Sequence, residues 1–305
     1  MKALAPGKIV VSGAHAVLEG APAIVSAVSR YVLADATRPA SFVTPEVQAA
    51  LGPSPAPWFD ASALRGDGHK LGLGSSAAIL VASLAALRLR AGAAEPAELR
   101  AAVFEPALNA HAAAQGGGSG VDVAASVHGG TLVARPSAAG LDLERIDLPA
   151  SIHLELWASG QSASTPNLLA AVRELRQRSS ERYRVLLGAQ ADAAEAAARA
   201  VFDASANGLI DALTEQHECL HQLGEAAGVP IVTQEMRALH QLAHRAGAVV
   251  LPGGAGGGDV ALYAGLNPPT TPLLQQASTL GYQRLNDTTL SAPGVHAAPQ
   301  PMVAG

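Results

Sequence analysis

The chain has 305 residues, enough for one large or two moderate domains around a buried core. Apolar residues make up 49% and charged ones 15%, which excludes a largely disordered chain. A formal net charge of -5 and an aromatic content of 3% supply neither a basic stripe nor base-stacking platforms, so no nucleic-acid partner is expected.

Lys8-Ile9-Val10-Val11 opens as a short β-prone run, and Pro6 and Lys8 interrupt any signal-like apolar stretch near Met1. Ala23 to Val28 and Tyr31 to Ala36 read as two strands of a hairpin. Arg38 to Asp67, rich in Pro, Ala and Ser, reads as a long surface excursion with weak structure. Ser75 to Arg90 carries helix formers with no Gly or Pro, and Pro96 to Gln115 is a second helix that Pro106 would kink or split. A short helix over Val123 to Val127 ends at Gly129-Gly130, and Thr131 to Val133 resumes as strand. A turn covers Pro136 to Gly140. Ile152 to Trp157 is a strand, and a domain boundary is placed near Pro149.

The second half is helix-rich: Thr165 to Arg178, Glu181 to Phe202, Ala206 to Ala227 and Thr233 to Ala246. Ala248 to Leu251 then enters a Gly-rich loop that Val260 to Tyr263 leaves as strand. Strands mixed with helix pairs argue for an α+β chain in two domains, 1–150 and 151–305. The longest apolar stretch, Ala77 to Leu87, is shorter than the ~18 residues of a membrane span, and the single Cys219 forms no internal disulfide. A cytoplasmic protein, monomeric or homodimeric, with no membrane partner is expected.

Three Gly-rich loops carry the chemistry. In Gly72-Leu73-Gly74-Ser75-Ser76-Ala77-Ala78, glycines let backbone approach a ligand at a helix start, where free N–H groups and the helix dipole face an anion. Of the two hydroxyls, one can cap the helix and the other can reach a phosphate or its Mg²⁺; Lys70 could add a point charge. The same stretch matches a loose G-x-G-x-x-A dinucleotide pattern, but Arg65 to Lys70 does not read as the strand a dehydrogenase needs before it. No Walker-type G-x-x-x-x-G-K-[ST] occurs. In Gly116-Gly117-Gly118-Ser119-Gly120-Val121-Asp122, a carboxylate follows a flexible loop and can serve as base, as orienter, or only as a first-turn charge. In Pro252 to Asp259, five glycines in six residues favour backbone pressed against a ligand.

With Pro6-Gly7-Lys8, these loops resemble, in kind and order, the motifs of the GHMP kinases, from Ala5 to about Tyr263. Within that superfamily the chain is most similar to the phosphomevalonate kinases. This rests on Ala16-Val17-Leu18-Glu19-Gly20, His111 with Gln115 to Ala125, Gly160 to Thr165, and Gly254 to Asp259. The resemblance implies an N-terminal domain like the ribosomal S5 domain-2 fold, a ferredoxin-like C-terminal domain and a cleft between them. It implies ATP and Mg²⁺ as cofactors and a small anionic acceptor, phosphomevalonate first, then mevalonate or a sugar or sugar acid.

On this resemblance Lys8 and Asp122 are catalytic. Lys70, Gly72, Leu73, Gly74, Ser75, Ser76 and Ala77 bind ATP, with Ser76 near Mg²⁺. His15, Ser119, Gly120, Ser162, Ser164, Gly254, Ala255 and Gly256 bind the acceptor. Ala14 replaces the usual acidic residue of the first motif, and Gln161, Leu251 and Gly253 stand where the phosphomevalonate kinases often carry Lys, Lys and Ser. His111 occupies the position of a metal-binding Glu of mevalonate kinases. A rival pattern, His217-Glu218-Cys219-Leu220-His221, matches the H-E-x-x-H of zinc hydrolases but has no clear third ligand. His240 and His244 repeat its spacing on what reads as a solvated face. The run Arg173 to Arg178 reads as an exposed helix face.

Overall fold

β1 (Lys2–Ser12) and β2 (Ala23–Pro39) form the antiparallel pair from which the first sheet grows. There follow α1 (Pro45–Leu51), β3 (Pro57–Asp60), β4 (Arg65–Gly66), β5 (His69–Lys70), α2 (Ser75–Arg90), α3 (Pro96–Gln115), α4 (Val121–His128), β6 (Thr131–Ser137) and β7 (Gly140–Ile146). The remainder is β8 (His153–Ser159), α5 (Thr165–Arg178), α6 (Ser180–Phe202), α7 (Ala206–Ala227), α8 (Gln234–Arg245), β9 (Val249–Pro252), β10 (Val260–Gly265), α9 (Thr271–Thr279), β11 (Tyr282–Arg284) and β12 (His296–Ala297). This is a computed structural model, and it describes residues 1–66, 69–93, 95–138, 140–161 and 164–299.

The first sheet runs β12-β1-β2-β6-β7, with β3 also on β2; the second runs β11-β8-β10-β9. In chain order the second sheet has β8, four helices, β9, β10, α9 and β11, with strand order 4-1-3-2, the strand order of the split βαβ arrangement in ferredoxin-like folds. β12 pairs with β1, so the end of the described chain returns to the first sheet.

Successive residues of a strand point to opposite faces, and here they serve two cores. Ile9, Val11 and Ile24 join Leu80, Val81 and Leu84 of α2, whereas Val10, Ala23 and Val25 join Leu220 and Leu223 of α7. α2 packs on β1, β2, α1 and α3 and is buried from Ala77 to Ala86, as expected of a helix apolar all round. That enclosure fixes where its N-terminus points. No helix among the described residues is long and apolar enough to cross a membrane.

Three expectations are corrected. Ala23 to Ala36 is one strand rather than a hairpin. The register slips so that Pro6 faces Tyr31 and Gly7 faces Val28, and the extra Ser29 and Arg30 bond to Asp287, Thr288 and Thr289. A distant segment thus satisfies the bulge, which local sequence cannot show. Arg38 to Asp67 is not weakly structured: Thr44 caps α1, accepting from Val47 N at 3.4 Å, Pro45 opens the helix, and β3 pairs with β2. α3 runs unbroken through Pro106, held by packing on α1, α2 and α4. Arg65–Gly66 and His69–Lys70 also pair as a short hairpin before the glycine loop.

Candidate active site

Lys8 lies on β1 with a buried side chain. Its backbone N–H donates to Leu73 O at 2.9 Å, and its Nζ stands 3.4 Å from Asp122 Oδ1 in the first turn of α4. Gly74 presses on the aliphatic part of Lys8; a Cβ there would come within 2.8 Å of Lys8 Cγ. Gly254 lies on the other side, where a Cβ would be 3.7 Å from Lys8 Nζ, and Val10 N donates to Gly253 O at 3.1 Å. The three loops therefore meet around one ammonium group. Two helix N-termini, of α2 and α4, open beside it. Both have a left-handed glycine at the N-cap, Gly74 and Gly120, and neither has a side-chain cap.

The serines of the first loop accordingly do not cap α2, contrary to expectation. Ser76 Oγ donates instead to Glu46 of α1, a residue outside every sequence motif. Gln115 Nε2 also approaches Glu46 Oε1, at 3.3 Å, and meets His111 Nε2 at 3.1 Å. Leu73 and Ala77 are buried in the core, so their backbones, not their side chains, face any ligand. Gly72 has φ +72°, and a Cβ on it would fall on the carboxylate of Asp259, a residue that had no expected role. Burial raises the Asp259 pKa, against hydrogen bonding from Val260 N–H and the charge of Lys8. Lys70 is exposed on β5 and forms no ion pair with a described residue.

A cleft beside the Lys8–Asp122 pair is lined by His15, Ser119, Gly120, Gly254 and Ala255. His15 has φ +62°, an uncommon conformation for a non-glycine residue. Buried glutamines hold the turn before it: Gly13 N donates to Gln216 Oε1 at 2.8 Å, and Gln190 Nε2 donates to Ala14 O at 3.2 Å. His15 Nε2 lies 2.9 Å from Ala255 O, so it carries the proton, because a carbonyl only accepts. Burial lowers the pKa of this ring, against the opposing effect of the Ala255 bond. The neutral ring then presents Nδ1 as a buried acceptor with no protein partner.

Other expected contacts fall elsewhere. Gly256, with φ +95°, packs on Ile231, whose carbonyl a Cβ would strike, and Gly258 packs on Thr233. Gly253 likewise meets the Ile9 side chain. Packing inside the protein thus accounts for most glycines of the third loop, leaving Gly254 toward Lys8. Ser164 is exposed at the start of α5, while Thr165 lines the cleft; Ser162 lies outside the described residues.

No family model matches the chain. A Streptomyces sp. (strain CL190) protein named phosphomevalonate kinase is 26% identical over 331 aligned positions, covering 85% of this chain and 88% of its own length. The chain is thus similar to the GHMP kinases in sequence. Solved structures agree in fold. A Lin0012 protein from Listeria innocua is 22% identical with a TM-score of 0.82, covering 98% of this chain and 100% of that one. Streptococcus pneumoniae phosphomevalonate kinase, in complex with phosphomevalonate and AMPPNP, is 17% identical with a TM-score of 0.74, covering 95% and 99%.

This similarity sharpens two points. Leu251, at a position where phosphomevalonate kinases often carry Lys, is 1% exposed among core side chains. The zinc-hydrolase pattern has a packing role. His217 Nδ1 lies 2.8 Å from Val250 O, and its ring stacks on His240 with centroids 3.6 Å apart. His221 pairs with Glu225, and among the described residues no three groups converge as a metal site. His240 is half-buried against β9 rather than solvated, whereas His244 is exposed.

Proposed function

We propose that the chain transfers the γ-phosphoryl group of ATP to phosphomevalonate, acting as a cytoplasmic enzyme, monomeric or homodimeric. The observation that carries this reading is the Lys8 Nζ–Asp122 Oδ1 pair at 3.4 Å, set between two uncapped helix N-termini. Phosphoryl transfer needs positioning and fixed positive potential around three equatorial oxygens more than covalent chemistry. The amides opening α2 and the Lys8 ammonium supply that potential. Mg²⁺, when bound with ATP, would offset phosphate charge, and the Ser76 hydroxyl is an oxygen ligand of the kind it takes.

The acceptor side fits a phosphorylated hydroxy acid. His15 Nδ1 accepts only, so it suits an acceptor hydroxyl. The cleft continues past His15, Leu18, Gly118 and Leu169 into a recess that Arg173 and Arg176 border. Arg176 is engaged with Glu19 at 3.1 Å, whereas Arg173 has no described partner and is available to a phosphate. With a phosphate oxygen as nucleophile, already ionised near neutral pH, Asp122 orients the acceptor and holds Lys8 in place, and Lys8 offsets charge on the group in transit.

The test is ADP release with MgATP and, in turn, phosphomevalonate, mevalonate, homoserine and galactose. The expected result is release that depends on phosphomevalonate. Turnover with another acceptor alone overturns the substrate assignment, and none with any overturns the reading.

A further inference from the structure

Glu46 is a carboxylate that the three-loop site does not use. It opens α1 and is 6% exposed, yet a short hydrogen bond joins it to Ser76 in the first turn of α2. Its Oε1 accepts from Ser76 Oγ and from Gln115 Nε2, while its Oε2 is buried with no partner. One carboxylate oxygen is therefore buried without a hydrogen-bond partner. A buried carboxylate oxygen without a partner is costly unless a cation meets it.

We propose that Glu46 Oε2 and Ser76 Oγ are this chain's protein ligands for the divalent cation that accompanies the nucleotide. Both are hard oxygen donors, the type Mg²⁺ and Mn²⁺ take in small number alongside phosphate oxygens and water. Ser76 Oγ has lone pairs free while its proton is given to Glu46, so the hydrogen bond that joins the two also presents both to one ion. Gln115 acts behind them, bridging Glu46 to His111. The inference rests on the nucleotide reading of the Gly72–Ala77 loop, and it adds that the ion's protein carboxylate comes from α1.

Glu46→Gln is the informative variant, because its amide oxygen can still accept from Ser76 while the negative charge is gone. Mn²⁺ binding is titrated by electron paramagnetic resonance on the full chain, with and without AMPPNP, and AMPPNP binding is measured separately without metal. The expected result is nucleotide-dependent Mn²⁺ binding weakened by at least the ~10–100-fold that loss of an outer ligand partner costs, with thermal stability and metal-free AMPPNP binding unchanged. Ser76→Ala should weaken it in the same sense. Unchanged Mn²⁺ affinity in a folded Glu46→Gln protein overturns the inference and leaves the nucleotide reading standing. Absence of AMPPNP binding to the wild-type chain overturns both. Should Glu46→Gln not fold, the wild-type protein grown on ¹³C-labelled glutamate decides: a ¹³C coupling to bound Mn²⁺ in double-resonance spectra is expected, and its absence overturns the proposal.

Discussion

Lys8 Nζ and Asp122 Oδ1 stand 3.4 Å apart, the first on a buried strand and the second in the opening turn of a short helix. The contact is loose for an ion pair, the lysine side chain is 8% exposed and the aspartate 31%. Asp122 thus remains open to the cleft while Lys8 is walled by Gly74 and Gly254. This asymmetry gives the two residues different sensitivities. Lys8→Met should lower turnover by the ~10²–10³-fold seen when one donor to developing charge is lost. Asp122→Asn should cost far less than the ~10²–10⁴-fold of lost general-base catalysis, because a phosphate oxygen needs no proton removed. Steady-state rates with phosphomevalonate check both; a larger loss for Asp122→Asn would assign it the role of base.

Gly72 is constrained twice, by φ +72° and by the Asp259 carboxylate where a Cβ would lie. Gly72→Ala should destabilise the loop by about 1–2 kcal/mol from the left-handed conformation alone. AMPPNP affinity should fall in parallel, because the amides opening α2 follow directly. Calorimetric binding together with a denaturant midpoint measures the two effects; native affinity in the variant contradicts the loop assignment.

Arg173 should govern discrimination for a phosphorylated acceptor. At an exposed site, loss of its interaction is worth about 0.5–1.5 kcal/mol, so Arg173→Gln should raise KM for phosphomevalonate about 2–10-fold, with kcat and KM for ATP little changed. A change in kcat alone would remove Arg173 from acceptor binding.

The stacked His217–His240 pair sets an acid limit on stability. Burial, first of all, pushes His217 down to about 3 and His240 down to about 4, from 6.5 in an ordinary setting. Between those values the unfolded chain binds more protons than the folded one. This contribution is therefore fully present above pH 6.5 and is lost as pH falls toward about 4 for His240 and about 3 for His217. His15 and His128, also lowered by burial, share the sign, so comparison with a variant isolates the pair. His240→Gln, which keeps a donor for Val250 O, should flatten the rise of unfolding free energy with pH between 4.5 and 6.5, as read from urea midpoints. Superimposable slopes would show that the ring does not titrate as placed.

The helices of the second half and the three glycine loops were legible because their signals are local: unbroken helix formers, and glycines before short polar runs. Lys8 and Asp122, the proposed catalytic pair, were singled out through the order of those loops, and the fold brings them together. Glu46 was missed although Thr44-Pro45-Glu46 carries a cap and an N1 proline; the surrounding Pro, Ala and Ser read as coil. Asp259 was quoted within its loop, but its packing on Gly72 depends on how the two halves meet. Most glycines of the third loop looked like a ligand surface. They pack on Ile9, Ile231 and Thr233, contacts that no sequence window contains. The bulge at Ser29–Arg30 escaped for the same reason, since residues 287–289 complete it.

The central claim is transfer of phosphate from ATP to a phosphate oxygen in the Lys8–Asp122 cleft. ³¹P nuclear magnetic resonance of the purified chain with MgATP and phosphomevalonate tests it directly. The account predicts loss of the γ-phosphate and monoester signals with matching growth of ADP and of a second, diphosphate pair. It further predicts that Lys8→Met suppresses that growth while the protein remains folded. A monoester signal that stays constant while ATP is consumed or unchanged would contradict the account.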